Sequence, residues 1–301
     1  MTTAERALDL FEEHRPVLFG VAYRMLSSAA DAEDILQDAW LKWSAVDVGT
    51  VEAPRAYLTR IVTNLSISRL RSAAVQRESY VGPWLPEPLV TASEPDAADG
   101  MARAEDVSLA MLVVLETLSP LERAVFILKE VFGYPYAEIA GMLDRSEASV
   151  RQVGSRARGH VEARRPRYDA PAEVRRKATD EFLAACLGGD LNEMMELLAP
   201  DVTAWTDGGG RIRAALRPLT GPEKVCRWLI GVMTNSPLPD FSAHPVDVNG
   251  RPGYVFLSGD RVDSVVCAEV DEAGAITALR LIRNPEKLER VRPEDWQSSE
   301  G

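Results

Sequence analysis

The sequence predicts a multidomain chain: two small all-α helical domains followed by an α+β domain. Three observations predict it. Helical spacing of apolar residues runs through residues 5 to 71 and again from about 103 to 164, on either side of an acidic, proline-bearing stretch. After "RRPRYDAP" the texture changes to amphipathic helices and then to alternating, strand-like runs separated by turn residues. With 301 residues, 46% of them hydrophobic, the chain can bury more than one core.

Taken in order, the first domain spans 5–76. Its periodicity is broken by "SSAADAED" near residue 27 and by "VDVGTVEAP" near residue 46, which gives three or four packed helices. Residues 77–104 read as a linker, since "ESYVGPWLPEPLVTASEPDAADG" holds prolines and acids and no period. The second helical domain, 105–168, is interrupted at "SP" (119–120), "GYP" (133–135) and "DRS" (144–146). Its last two helices, "YAEIAGML" and "EASVRQVGSRARGHV", form a helix-turn-helix pattern. Ser146 can cap the second helix, with Glu147 favourable at its positive end. Ile139, Ala140, Leu143, Val150 and Val153 fall where the two helices must meet, leaving Arg151, Gln152, Ser155, Arg156 and Arg158 on other faces. The α+β domain spans 170–290: helices over 172–188, 190–198 and about 221–235, then "GYVFLSG", "RVDSVVCAEVD" and "AITALRLIR" as strands of a curved antiparallel sheet. Residues 291–301 form a tail.

Charge narrows the function. The formal net charge is -12, yet residues 145–168 carry Arg145, Arg151, Arg156, Arg158, Arg164, Arg165 and Arg167 against only Glu147 and Glu162. A weaker basic stretch runs from 53 to 77 with Arg55, Arg60, Arg69, Arg71 and Arg77. Polyanion binding needs local potential, not global charge, and a helix-turn-helix lets Arg reach guanine and Gln reach adenine in the major groove. The other reading of the helix is a solvated basic end. Cys186, Cys226 and Cys267 lack metal-site or disulfide spacing and read as buried small residues. No run approaches the roughly 20 apolar residues of a membrane span. "MTTAERALDLFEEHRPVLF" is charged where a signal peptide would be apolar, so a cytoplasmic location is expected.

Three segments in order carry a resemblance. "FEEHRPVLFGVAYRMLSSAADAEDILQDAWLKW" resembles sigma region 2 of the extracytoplasmic-function group of bacterial sigma-70 factors. "APRAYLTRIVTNLSISRLR" resembles its promoter-melting helix, and "LSPLERAVFILKEVFGYPYAEIAGMLDRSEASVRQVGSRARGHV" resembles sigma region 4. "WLPEP" (84–88), "DGGG" (207–210) and "NPEKL" (284–288) match a subgroup with a SnoaL-like, cone-shaped C-terminal extension. The family often has Trp where Tyr57 stands and Asp where Ser68 stands.

The resemblance implies a polymerase- and promoter-binding initiation factor that is not an enzyme, needs no cofactor or metal, and uses core RNA polymerase and promoter DNA as partners. It implies polymerase docking through Asp34, Gln37 and Asp38, with Trp40 and Trp43 holding that helix to its neighbours. It implies downstream-element contacts through Arg55, Tyr57, Arg60, Asn64, Arg69 and Arg71, where Tyr57 is equally readable as a core aromatic. Upstream-element contacts fall to Arg151, Gln152, Ser155, Arg156 and Arg158, with Arg164 and Arg165 nearer phosphate or solvent.

For the C-terminal domain the subgroup resemblance implies regulation of the sigma core through Trp84, Leu85, Pro86, Asp207, Gly208, Gly209, Gly210, Asn284 and Pro285. Three plainer readings stand beside it. Trp84 can pack on region 2, "DGGG" can be a hairpin turn with permissive φ, and Pro285 can simply end a strand. Catalysis would need convergent ionisable groups; the candidates are Asp201, Asp207, His244 and Arg280, with Asp201 at a helix-to-strand junction and His244 placed in a surface loop. An unidentified small ligand in the C-terminal pocket is left open. The alternatives to a sigma factor are a helix-turn-helix regulator with a ligand-sensing domain and a SnoaL-like enzyme with an appended DNA-binding half.

Overall fold

The computed structural model describes residues 3–93, 107–164, 170–235 and 238–296. It divides into two compact units: residues 1–79 with 111–165, and residues 80–110 with 166–301.

The helical unit holds α1 (Thr3–Leu26), α2 (Ala29–Trp43), α3 (Pro54–Glu78), the end of α4 (Leu109–Leu115), α5 (Pro120–Phe126), α6 (Tyr136–Leu143) and α7 (Glu147–Glu162). The expected breaks have local causes. Ser27 turns the chain at φ 56°, and the Ser28 hydroxyl then accepts from the Asp31 amide at 3.1 Å to start α2. Asp47 caps a short 3-10 turn before Pro54 opens α3. Ser119 and Glu122 form a reciprocal capping box on α5, whose last residues loosen into a π turn over Ile127–Val131. α2 buries Ala32, Ile35, Leu36, Ala39 and Trp43, and the Trp43 indole N–H donates to the Ala7 carbonyl at 2.8 Å.

The helix-turn-helix forms over α6 and α7. Asp144 takes the left-handed conformation (φ 53°) in the turn, and Ser146 caps α7 by accepting from the Ser149 amide at 3.3 Å. Ile139, Ala140, Val150 and Val153 are buried as expected; Met142 joins them, while Leu143 is half-buried. Gly154 lies where α7 crosses Tyr136, and a Cβ there would stand 2.9 Å from the phenolic oxygen. Arg123 supplies a buried clamp that the sequence does not advertise. Its guanidinium donates to the Arg24 carbonyl (2.9 Å), the Ser27 hydroxyl (2.5 Å) and Glu116 (2.6 Å), joining α5 to the α1–α2 corner.

The second unit is a seven-stranded sheet in the order β1-β4-β5-β6-β7-β2-β3, packed by α8 (Ala172–Gly188), α9 (Leu191–Glu196) and α10 (Pro222–Asn235). The strands are β1 (Val90–Ala92), β2 (Leu198–Asp207), β3 (Leu219–Thr220), β4 (Phe241–Val248), β5 (Arg251–Ser258), β6 (Arg261–Val270) and β7 (Ile276–Ile282). All pairs are antiparallel except β2 with β7. Phe182, Met194, Val225, Ile276 and Leu279 centre the core between helices and sheet.

Several sequence expectations change here. The stretch read as a linker contributes β1, an edge strand pairing Val90 with Val248 on β4. The sheet is mixed, not wholly antiparallel. His244 lies in β4 opposite Val255, not in a surface loop. "DGGG" turns no tight hairpin: Asp207 ends β2, and the chain returns to pair only at Leu219. Pro285 is the first residue of a short helix, α11 (Pro285–Leu288), capped by the Asn284 side chain. Residues 94–104 of the linker and Arg165 lie outside the described residues.

Candidate functional site

On α7 the apolar stripe Val150, Val153, Ala157 and Val161 is buried, which forces Arg151, Gln152, Ser155, Arg156 and Arg158 outward, all exposed. The arginines rest on acids: Arg151 on Glu147 in the preceding turn, Arg156 on Glu122 (3.6 Å) and Arg158 on Glu130 (2.6 Å). Exposed pairs of this kind are worth about 0–1 kcal/mol and exchange readily for phosphate. Gln152 and Ser155 have no side-chain hydrogen-bond partner among the described residues. The Arg151 guanidinium also lies 5.1 Å from the Tyr136 ring centroid, which orients it.

On α3 the residues read as the melting surface are divided in environment. Arg55, Arg60, Asn64, Arg69 and Arg71 are exposed; Tyr57 is half-buried, its ring 5.8 Å from that of Trp43. Tyr57, Arg60 and Asn64, with Lys42, Leu65 and Ser68, line a concavity of about 400 Å³. The Asn64 amide donates both to the Arg60 carbonyl (2.9 Å) and to the Met142 carbonyl on α6 (3.0 Å). Arg69 is held by Asp31, and that hydrogen bond raises its pKa further. On α2, Asp34, Gln37 and Asp38 are exposed, with Asp34 at 3.5 Å from Arg69, while Trp40 stands edge-on to Phe11 at 5.3 Å.

In the second unit three distant segments meet on one buried carboxylate. Asp207 is fully buried and satisfied on both oxygens. Its Oδ1 accepts from the Tyr80 hydroxyl (2.5 Å) and the Gly209 amide (3.1 Å); its Oδ2 accepts from the Leu85 amide (2.8 Å) and the Lys287 ammonium (2.7 Å). Lys287 also donates to the Leu85 carbonyl and lies 4.1 Å from the Trp84 ring centroid. Asn284 donates to the Tyr80 hydroxyl at 2.9 Å. Leu85 and Pro86 are buried. Residues 80–92 thus form a strap, pinned by this lock at one end and by β1 at the other. Gly209 (φ 61°) is required here: a Cβ would come within 2.5 Å of the Asn284 side chain. Burial first, and then the bond to Asp207, raise the Tyr80 pKa, so it stays a neutral donor. Tyr80 and Lys287 complete the lock and were not singled out from sequence. Lys287 was within reach, since it sits inside the quoted "NPEKL".

Asp201, His244 and Arg280 do not converge with Asp207. Asp201 is exposed on β2, His244 contacts Ser242 (3.0 Å), and buried Arg280 pairs with Glu269 beside Trp205. None of the four lines the cavity between α8, α10 and the sheet.

Residues 10–75 match the family model of sigma-70 region 2, and residues 108–161 that of sigma-70, region 4. The chain is 40% identical over 289 residues to the ECF RNA polymerase sigma factor SigJ of Mycobacterium tuberculosis, covering 92% of each. The chain belongs to the extracytoplasmic-function sigma-factor family. The probable ECF RNA polymerase sigma factor SigI of the same species is 29% identical over 283 residues, 93% of this chain and 94% of that one. The crystal structure of SigJ matches with a TM-score of 0.74 at 34% identity, over 95% of this chain and 99% of that one. As a sigma factor the protein directs transcription initiation, binds core RNA polymerase and promoter DNA, and is not an enzyme. The fold is the expected one: helical regions 2 and 4, then a SnoaL-like domain of helices on a mixed sheet. No helix among the described residues is long and apolar enough to cross a membrane.

Proposed function

We propose that this sigma factor reads the upstream promoter element with Arg151, Gln152, Ser155, Arg156 and Arg158, and holds the melted downstream element with Arg55, Tyr57, Arg60, Asn64, Arg69 and Arg71. Asp34, Gln37 and Asp38 dock on the polymerase. The chemistry supports each role: unpartnered Gln152 and weakly paired arginines suit base edges and phosphates, and the concavity beside Tyr57 offers one flipped base a wall to stack on.

The C-terminal unit regulates this activity through the strap. The observation that carries the reading is the Asp207 lock, because it ties down part of the very segment that joins α3 of region 2 to α4 of region 4. Once the packing of regions 2 and 4 through Arg123 and Asn64 opens, a tether's reach sets how freely two DNA-binding surfaces can be placed, so holding or releasing residues 80–92 changes the spacing available to them. The cavity of the same unit gives a small ligand access to this device. Arg283 lines it, its backbone amide donates to the Asp207 carbonyl at 2.7 Å, and the next residue is Asn284. A ligand acts only through a difference in affinity between held and released states, and contact with Arg283 supplies one.

The test is reconstitution with core RNA polymerase on a promoter library, comparing the full chain, a chain ending before Asp169 and a chain ending after Asn284. The full chain is expected to yield defined start sites, and both truncations to alter promoter choice or output. Equal transcription by all three, with no binding of the isolated C-terminal domain (170–290) to residues 1–168, would exclude regulation within the chain.

A further inference from the structure

The cavity between α8, α10 and the sheet has a volume of about 310 Å³, at the lower end of small-molecule sites. Strand alternation brings Ser264, Val266 and Ala268 of β6 and Leu279 and Leu281 of β7 onto its wall, with Arg283 just past the end of β7. Phe182 and Trp228 face them from the helices. The mouth is apolar as well: Leu187, Met233 and Phe241 are 49%, 38% and 43% exposed, an arrangement that costs solvation and suits the entry of a lipophilic guest.

Two features define what the guest must be. A β-bulge pairs Phe256 with Ser264 but Leu257 with Val262, leaving Asp263 as the extra residue, turned into the cavity wall. There its two oxygens each receive Arg283 at 3.1 Å, so the charges cancel and no bare cation or anion remains. A charged ligand would have to shed its hydration with no free counter-charge in the wall to receive it. Beside that pair, Ser264 is 6% exposed, and its hydroxyl, without a hydrogen-bond partner among the described residues yet not fully buried, opens onto the cavity. It is a polar group of the wall left free to bond a guest.

We propose that this cavity binds an uncharged, lipophilic small molecule whose single polar group, a carbonyl, hydroxyl or amine, hydrogen-bonds to Ser264. This rests on the reading of the C-terminal unit as ligand-responsive and adds the chemical class. Occupancy places the ligand against Arg283, one residue from the strap lock.

The test uses two dyes of one ring frame on the full-length protein: neutral N-phenyl-1-naphthylamine and anionic 8-anilinonaphthalene-1-sulfonate. The neutral dye is expected to bind saturably at one site with blue-shifted emission, and the sulfonate at least tenfold more weakly. Ser264→Ala should weaken the neutral dye about two- to tenfold, the range of one net hydrogen bond. Val232→Trp, on the cavity wall, should abolish its binding, with thermal melts run on both variants. No saturable binding, equal affinity for the sulfonate, or full affinity in a folded Val232→Trp would overturn the proposal. Full affinity in Ser264→Ala would overturn the assigned hydrogen bond. Should Val232→Trp not fold, the dye pair and Ser264→Ala still decide. None of these readouts depends on transcription, so the sigma activity stands or falls separately.

Discussion

Replacing Asp207 by Asn keeps the shape of the side chain and removes its charge, and the structure sets the cost. Four donors converge on the carboxylate. An amide oxygen can still serve Tyr80 and Gly209, but the amide nitrogen then faces the Leu85 amide and the Lys287 ammonium, donor against donor. Each buried donor left unmet costs about 1–3 kcal/mol, and a buried cation stripped of its counter-ion about 3–5 kcal/mol. The strain need not unfold the domain, because the strap can let go first; local opening caps the loss at the free energy of detachment. A loss of about 3 kcal/mol corresponds to roughly a hundredfold rise in opening, at 1.4 kcal/mol per decade. Hydrogen exchange read by mass spectrometry on the full chain should therefore show residues 80–92 losing about two decades of protection while β5 and β6 keep theirs. Lys287→Met should do nearly the same alone. The double variant should cost less than the sum by about 0.5–3 kcal/mol, the usual coupling of contacting residues. Unchanged protection of residues 80–92, or an equal loss throughout the sheet, would refute the lock.

Other outcomes follow from the helical unit. Arg151→Ala or Arg156→Ala should cost about 1–3 kcal/mol of promoter affinity where the side chain reads a base, or lower the salt slope by about one where it meets a phosphate; unaltered binding by both removes α7 from the interface. Asp34→Lys should weaken core-polymerase binding in a pull-down or titration while shifting stability by about 0.5 kcal/mol or less, because the pair with Arg69 is long and exposed. Gly154→Ala should destabilise the helical unit by about 1–3 kcal/mol in denaturant melts, since its Cβ meets Tyr136 at 2.9 Å. Tyr136→Ala in the same chain should recover part of that loss.

What the sequence determined by itself was whatever neighbours along the chain decide. The break near residue 27, the helix start at Ser146, the breaks at 119–120, 133–135 and 144–146, and the outward face of α7 depend on caps, prolines and spacings of three and four, all local. The hairpin strands β5 and β6 were legible for the same reason: their turns lie beside them. Only tertiary structure decided the rest. β1 takes its hydrogen bonds from β4, far along the chain, so its own residues read as a linker. β2 is legible only as a strand starting near Asp201; its place in the sheet comes from β7, in a parallel pairing no turn announces. From sequence Asp207 reads as a turn residue, a candidate acid or, through the subgroup resemblance, a regulatory residue, with no partner named for it. Tyr80, 127 residues away, and Lys287, 80 residues away, make it the hub of a lock. The placing of the Ser264 hydroxyl on the cavity wall and the Asp263–Arg283 pair likewise arise from a bulge and a strand neighbour. A buried polar group's meaning lies in which partners reach it, and that is settled by distance in space.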